Sequence, residues 1–128
     1  MARPVKLYFD GGCRPNPGPM ETAIVARGQV HYRADHGPGD NNDAEWLALL
    51  EALSVAQAMG ERDIILIGDS ALVIGQATGA APCRSLRFRA ALARFQELAA
   101  GFASVRLRLA RRSHNLAGIA LERIHGRI

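Results

Sequence analysis

Lysine is almost missing from this chain: of its sixteen basic side chains, all but Lys6 are arginine. Cysteine is scarce as well. Cys13 and Cys83 stand in unrelated contexts with no metal-type spacing, which leaves a disulfide framework or a zinc site with little support. Both are expected as free thiols in a reducing compartment, with a cytoplasmic location. No apolar run approaches the ~20 residues of a membrane span, and the N-terminus lacks the basic, apolar and cleavage regions of a secretory signal. There is no Gly-x-x-x-x-Gly-Lys-Ser/Thr run, so a P-loop nucleotide enzyme has no support. Internal repeats and low-complexity tracts are also lacking.

What is present fits one globular domain over residues 1–128, with 48% apolar residues to build a core. Charge is unevenly spread. Residues 1–63 carry six basic against nine acidic side chains, whereas residues 64–128 carry ten arginines against Asp69, Glu97 and Glu122. The second half suits an anionic partner, although a preference for arginine codons would leave the same mark.

Val5, Leu7 and Phe9 share one face of a period-two strand, with Lys6, Tyr8 and Asp10 on the other. This strand is expected to stop near Asp10. A loop from Gly11 through Gly12, Cys13, Asn16 and Gly18 follows, with glycines that uncover the backbone and prolines that stiffen it. Residues 22–27 and 29–34 continue as an antiparallel meander, and residues 35–42 form a connecting loop. Trp46, Leu49, Leu50, Leu53 and Ala56 recur at helical spacing up to Gly60. The run Ile64–Ile67 reads as a strand covered on both faces, followed by a helix from Ala71. Another helix spans 84–100, with Leu86, Ala90, Ala93 or Arg94, and Leu98 in successive turns. Val105, Leu107 and Leu109 alternate with arginines in a last strand, residues 111–114 link, and a helix covers 115–124. The order β-β-β-α-β-α-α-β-α predicts an α/β fold: a five-stranded mixed sheet flanked by helices.

Three acids fall at element ends: Asp10 after the first strand, Glu45 in the first turn of the first helix, and Asp69 after the apolar strand. If those two strands are parallel neighbours, Asp10 and Asp69 meet at their C-terminal edge, where open α/β sheets place ligands. Carboxylates packed there repel one another unless a cation neutralises them. Oxygen ligands select Mg²⁺ or Mn²⁺, and paired ions about 4 Å apart can activate water and stabilise the leaving oxygen of a phosphodiester. Local roles compete with this reading. Asn42 and Glu45 form a capping-box variant, and Asp69 can cap the helix after it.

The stretch Asp10-Gly11-Gly12-Cys13-Arg14-Pro15-Asn16-Pro17-Gly18, the helix start Asn41-Asn42-Asp43-Ala44-Glu45 and the turn Gly68-Asp69-Ser70 together resemble the type 1 ribonuclease H family, in its compact form without a basic handle insertion. The resemblance covers essentially the whole chain. It implies the ribonuclease H-like fold and an endonuclease that cuts the RNA strand of RNA/DNA hybrids with two Mg²⁺ or Mn²⁺ ions held by Asp10, Glu45 and Asp69. It also implies that Gly11, Gly12, Cys13, Asn16, Asn41, Asn42, Ser70 and Asn115 lie along the substrate, where backbone and amide groups meet ribose hydroxyls. Arg84, with Arg87, Arg89 and Arg94, would supply phosphate contacts in place of the handle. A monomer is expected, with double-stranded RNA a further candidate substrate.

Departures from the family bear on activity. The pattern Asn-x-x-small-Asp expected of the last helix runs here Asn115-Leu116-Ala117-Gly118-Ile119, so the fourth carboxylate is missing. Glu122, one helical turn on, either reaches back as a substitute or is a surface side chain. His114 stands near the place of a family histidine that assists proton transfer or product release, or is a solvated loop histidine, as is His125. Asp40 replaces a phosphate-seating threonine, and Ala71 a groove-contacting glutamine. A silent domain that binds hybrid or double-stranded RNA is therefore the rival reading. A proofreading-type exonuclease would instead begin with Asp-x-Glu.

Overall fold

Burial follows the alternation seen in the first strand: Val5, Leu7 and Phe9 are buried, and the computed structural model, which describes residues 3–126, makes them the centre of the sheet. Strand β1 (Val5–Cys13) pairs antiparallel with β2 (Gly18–Ala26), which pairs with β3 (Gln29–Arg33). A two-residue strand β4 (Pro38–Gly39), not expected from the sequence, clips the start of β2. On the other side of β1 runs β5 (Asp63–Gly68), parallel to it, and then β6 (Ser104–Leu109), parallel to β5. The main sheet order is β3-β2-β1-β5-β6, and the helices are α1 (Asn41–Ala58), α2 (Ala71–Thr78), α3 (Leu86–Ala99) and α4 (Leu116–Ile124). Residues Arg112–His114 make one 3-10 turn ahead of α4. This is the expected α/β order, a five-stranded mixed sheet with helices, plus the small β4. No helix among the described residues is long and apolar enough to cross a membrane.

One face of the sheet carries the main core. Leu7, Phe9, Ile24, Ile64 and Leu66 meet Trp46, Leu49 and Leu53 of α1, with Phe88 and Phe95 of α3 behind them. Each large side chain so buried contributes roughly 1.5–3 kcal/mol. The Trp46 indole is satisfied as well, donating to Gln76 Oε1 at 3.0 Å and so joining α1 to α2. On the opposite face, Ala117 and Leu121 of α4 close over Ala23 and Val25 of β2. Asn115 locks this helix to the sheet. Its amide is fully buried and donates to Phe9 O at 3.0 Å, while its Oδ1 accepts from Ala117 N–H as the cap of α4.

Several local expectations are corrected. Strand β1 does not stop at Asp10 but stays paired with β2 through Cys13, so most of the supposed glycine loop is strand; what ends near Asp10 is the pairing with β5, last registered at Tyr8↔Ile67. The capping box of α1 uses Asp40 and Asp43 in place of Asn42 and Glu45: Asp43 N–H donates to Asp40 Oδ1, and Asp40 N–H donates to Asp43 Oδ2, each at 2.9 Å. Ser70, not Asp69, caps α2, accepting from Val73 N–H at 3.2 Å. Both shifts leave the neighbouring acid, Glu45 or Asp69, to point elsewhere. In α3 the packed face is Phe88 and Phe95, and Leu86 is 81% exposed. The aromatic pair seven residues apart outweighs the leucine spacing, because only that face meets α1. Leu109 of β6 is exposed also.

Asp40 is further held by Arg87 Nη2 at 3.0 Å, while Arg87 Nη1 reaches Asp43 Oδ2 at 2.9 Å. The Asp43 N–H, and then Arg87, hold the Asp40 carboxyl below the usual carboxylate value. Replacement of Asp40 by Ala should cost about 1 kcal/mol in denaturant unfolding at neutral pH. A group with a depressed folded-state pKa stabilises above its unfolded value and loses that contribution as pH falls through the folded one, so the gap between wild type and Asp40→Ala should close below about pH 4. Replacement of Asn115 by Ala strands the buried Phe9 carbonyl and uncaps α4, and should cost about 2–3 kcal/mol in the same measurement.

Candidate active site

Because β1 and β5 run parallel and part company beyond Tyr8 and Ile67, Asp10 and Asp69 come to lie together at the C-terminal edge of the sheet. The first turn of α1 brings Glu45 against them. Gly11 permits this approach: a Cβ there would stand 2.1 Å from the backbone oxygen of Ala44. Its N–H donates to Glu45 Oε1 at 3.1 Å. The N–H expected to be open to a ligand thus instead fixes the carboxylate of Glu45. Each of the three acids offers an oxygen within 4.8 Å of the other two.

Two of these acids are held out of water. Asp10 is 1% exposed and Glu45 7%. Burial, followed by the Asp10 carboxyl beside it, pushes Glu45 well above the usual carboxylate range. Burial raises Asp10 too, against the opposing pull of Glu45 and Arg112. Asp10 Oδ2 and Glu45 Oε2 are buried with no hydrogen-bond partner. Two orphaned acceptors side by side, in a set of hard oxygen donors, fit a divalent cation.

The other side of the cluster has a partner that sequence reasoning missed. Arg112 Nη1 donates to Asp10 Oδ1 at 2.8 Å and to Asp69 Oδ2 at 3.2 Å. Burial works against the Arg112 charge, but Asp10 and Asp69 outweigh it and hold the guanidinium above its ordinary value. Asp69 Oδ2 also accepts from Asn115 Nδ2 at 2.8 Å. Asn115, expected along the substrate, is buried behind the site and orients Asp69. The only signal for Arg112 in the sequence was its place in the linker before the last helix.

Beside the acids lies a cleft of about 350 Å³ lined by Asp10, Glu45, Glu21, Glu122, Arg14 and Arg112. Glu122 stands in this cleft but outside the three-carboxylate cluster; its Oε1 lies 3.3 Å from Arg14 Nη2 and 3.5 Å from Arg112 Nη2. Glu21 was also missed: it accepts from Tyr32 OH at 2.9 Å and lies 2.6 Å from His125 Nε2. His125 is thereby tied to Glu21, while His114 is exposed in the turn before α4. Gly12 and Asn41 line the cleft. Cys13 N–H donates to Asn41 Oδ1, and Asn41 N–H to Asn16 Oδ1, each at 3.1 Å, so these three form a braced rim on the start of α1. Asn42 and Arg84 are exposed, and Ser70 is half-buried as the α2 cap.

The chain matches known proteins over this whole frame. Residues 9–122 match the family described as reverse transcriptase-like. A ribonuclease HI of Halobacterium salinarum is 40% identical over 103 residues, which cover 77% of this chain and 52% of that protein. The chain thus spans about half the length of that curated relative. The crystal structure of an RNase H1 from the same archaeon superposes with a TM-score of 0.85 at 36% identity, covering 96% of this chain and 98% of that one. A compost-derived RNase H1, solved in complex with an RNA/DNA hybrid, gives a TM-score of 0.77 at 25% identity, covering 87% and 88% of the two chains. A ribonuclease H sheet carrying three converging carboxylates, matched in sequence and structure along nearly its full length, places this chain in the type 1 ribonuclease H family.

Proposed function

We propose that this chain is a metal-dependent endonuclease domain that hydrolyses the RNA strand of RNA/DNA hybrids, monomeric and acting in the cytoplasm. The observation that carries the reading is the cluster of Asp10, Glu45 and Asp69 with two orphaned buried oxygens. These three side chains would hold Mg²⁺ or Mn²⁺, two ions with substrate present. Divalent ions bound there would lower the pKa of a coordinated water and stabilise the leaving oxygen of a phosphodiester.

The protein's own groups position rather than react. Gly11 N–H orients Glu45, and Asn115 orients Asp69, so two ligands are set before any substrate arrives. Gly12, Cys13, Asn16, Asn41 and Asn42 present a rim of backbone and amide groups suited to ribose hydroxyls in a hybrid's minor groove. Ser70 follows Asp69 directly and caps α2. Exposed Arg84 and its neighbours on α3 offer phosphate contacts. At Asp40 the negative charge that would repel a phosphate is offset by Arg87. His114 is exposed to solvent in the turn before α4, which suits proton exchange. Double-stranded RNA shares the ribose hydroxyls and is the further candidate substrate. The hybrid complex of the compost-derived relative supports the assignment of substrate class.

A second reading has its own observation. Ile119 provides no fourth carboxylate, and a guanidinium lies across two of the remaining three acids. A domain that binds hybrid but turns over slowly or not at all would have this construction. Incubation of pure protein with labelled hybrid and Mg²⁺ or Mn²⁺ should give cleavage that falls to background in Asp10→Asn; cleavage persisting in that variant would sink the assignment. Hybrid binding without cleavage by the wild type would select the second reading. Replacement of Glu122 by Gln should lower the cleavage rate a few-fold, and an unchanged rate would remove Glu122 from the working site.

A further inference from the structure

We propose that Arg112 is a built-in counter-ion that competes with a divalent cation for the Asp10–Asp69 edge of the site, so that metal loading requires its guanidinium to withdraw. The inference rests on the reading of the three acids as a metal site and adds to it a residue that opposes loading.

The carboxylate cluster has two unlike sides. Toward Glu45, Asp10 Oδ2 and Glu45 Oε2 are buried and unpartnered. Toward Asp69, Asp10 Oδ1 and Asp69 Oδ2 both accept from one nitrogen of Arg112. A single donor bridging oxygens of two acids occupies the place a shared cation would take, and two positive charges cannot both sit there without strong repulsion. Arg112 also borders both hollows at this edge: the cleft lined by Asp10 and Glu45, and a second hollow of about 370 Å³ lined by Asp69, Leu109, Ala110 and Arg111. It stands where the acids would otherwise face each other across open space.

The seat is shaped for this side chain. A Cβ on Gly118 would come within 3.3 Å of Arg112 Cζ, so the glycine leaves the room the guanidinium fills. Glu122 Oε1, 3.5 Å from Nη2, steadies its second nitrogen. With Ile119 apolar, the Arg112 charge is paired among the described residues with Asp10, Asp69 and Glu122. Withdrawal is also feasible. The Arg112 side chain is 52% exposed, so its charge can move into water and be solvated without leaving a buried ion behind. Each state then keeps one cation at the Asp10–Asp69 edge: guanidinium in without the ion, guanidinium out with it.

The test is Mn²⁺ binding to the full chain without nucleic acid, followed by titration calorimetry and by the thermal midpoint, for wild type, Arg112→Gln and Arg112→Lys. Competition predicts that Arg112→Gln binds Mn²⁺ about tenfold more tightly than wild type or better, since one opposing charge is gone. The Lys variant, which keeps the charge without the fork, should fall between the two. The metal-free midpoint of Arg112→Gln should drop and its rise on adding Mn²⁺ should exceed that of wild type. A purely structural role for Arg112 would weaken Mn²⁺ binding, the opposite sign. Equal or weaker binding by Arg112→Gln, or a Lys variant as tight as the Gln variant, would overturn the proposal while leaving the metal site standing. No Mn²⁺ binding by any of the three proteins would overturn the metal site and the competition together.

Discussion

Three carboxylates gathered at the edge of a buried sheet repel one another, and much of the surrounding structure is arranged to make that gathering tolerable. Asp10 and Glu45 lie in a low-dielectric setting where charge is unfavourable, as their raised pKa values record. The compensation is divided. Arg112 neutralises the Asp69 side, Gly11 N–H stabilises one Glu45 oxygen, and two oxygens are left without a partner. Uncompensated acceptors at nearly full burial are costly in a folded protein, and either a proton shared between Asp10 and Glu45 or a cation in its place relieves them. The site is thus under electrostatic tension that binding would discharge.

That tension is sustained by rigid supports. Strand β1 is the sheet's centre, clamped on both sides, and places Asp10 where the parallel pairing with β5 ends. Helix α1 is pinned to the sheet by its Trp46 face and by the close approach that Gly11 allows, which carries Glu45 to the same point. Asn115 does two things at once, locking α4 to Phe9 and aiming Asp69. A change at Asn115 therefore acts on stability and on the site together.

The replacement of the fourth family carboxylate by Ile119 acquires a physical meaning in this setting. With fewer acids, the local charge is less negative, and a nearby arginine is a sufficient partner for two of them. The same arrangement that stabilises the protein without metal then works against loading it. In the proposed competition, metal loading depends on how readily the Arg112 guanidinium gives way.

The alternation of β1, the unbroken apolar run of β5 and the three acidic motifs were legible in the sequence, and they sufficed for the fold and for Asp10, Glu45 and Asp69. Those features depend on local periodicity and on where elements end. The capping box could not be placed as reliably, because Asp40, Asn42, Asp43 and Glu45 all lie within a few residues and only the turn geometry chooses among them. The face of α3 was decided by its contact with α1, so Leu86 is left in solvent while Phe88 and Phe95 pack inward. Arg112 was beyond reach for a simpler reason: its bond to Asp10 spans 102 residues of chain. Sequence alone singled out the three acids that gather at the sheet edge, since each is announced by its own motif; only the tertiary structure decided what opposes them, since that partner is brought there by the sheet and by α4, not by any pattern around it.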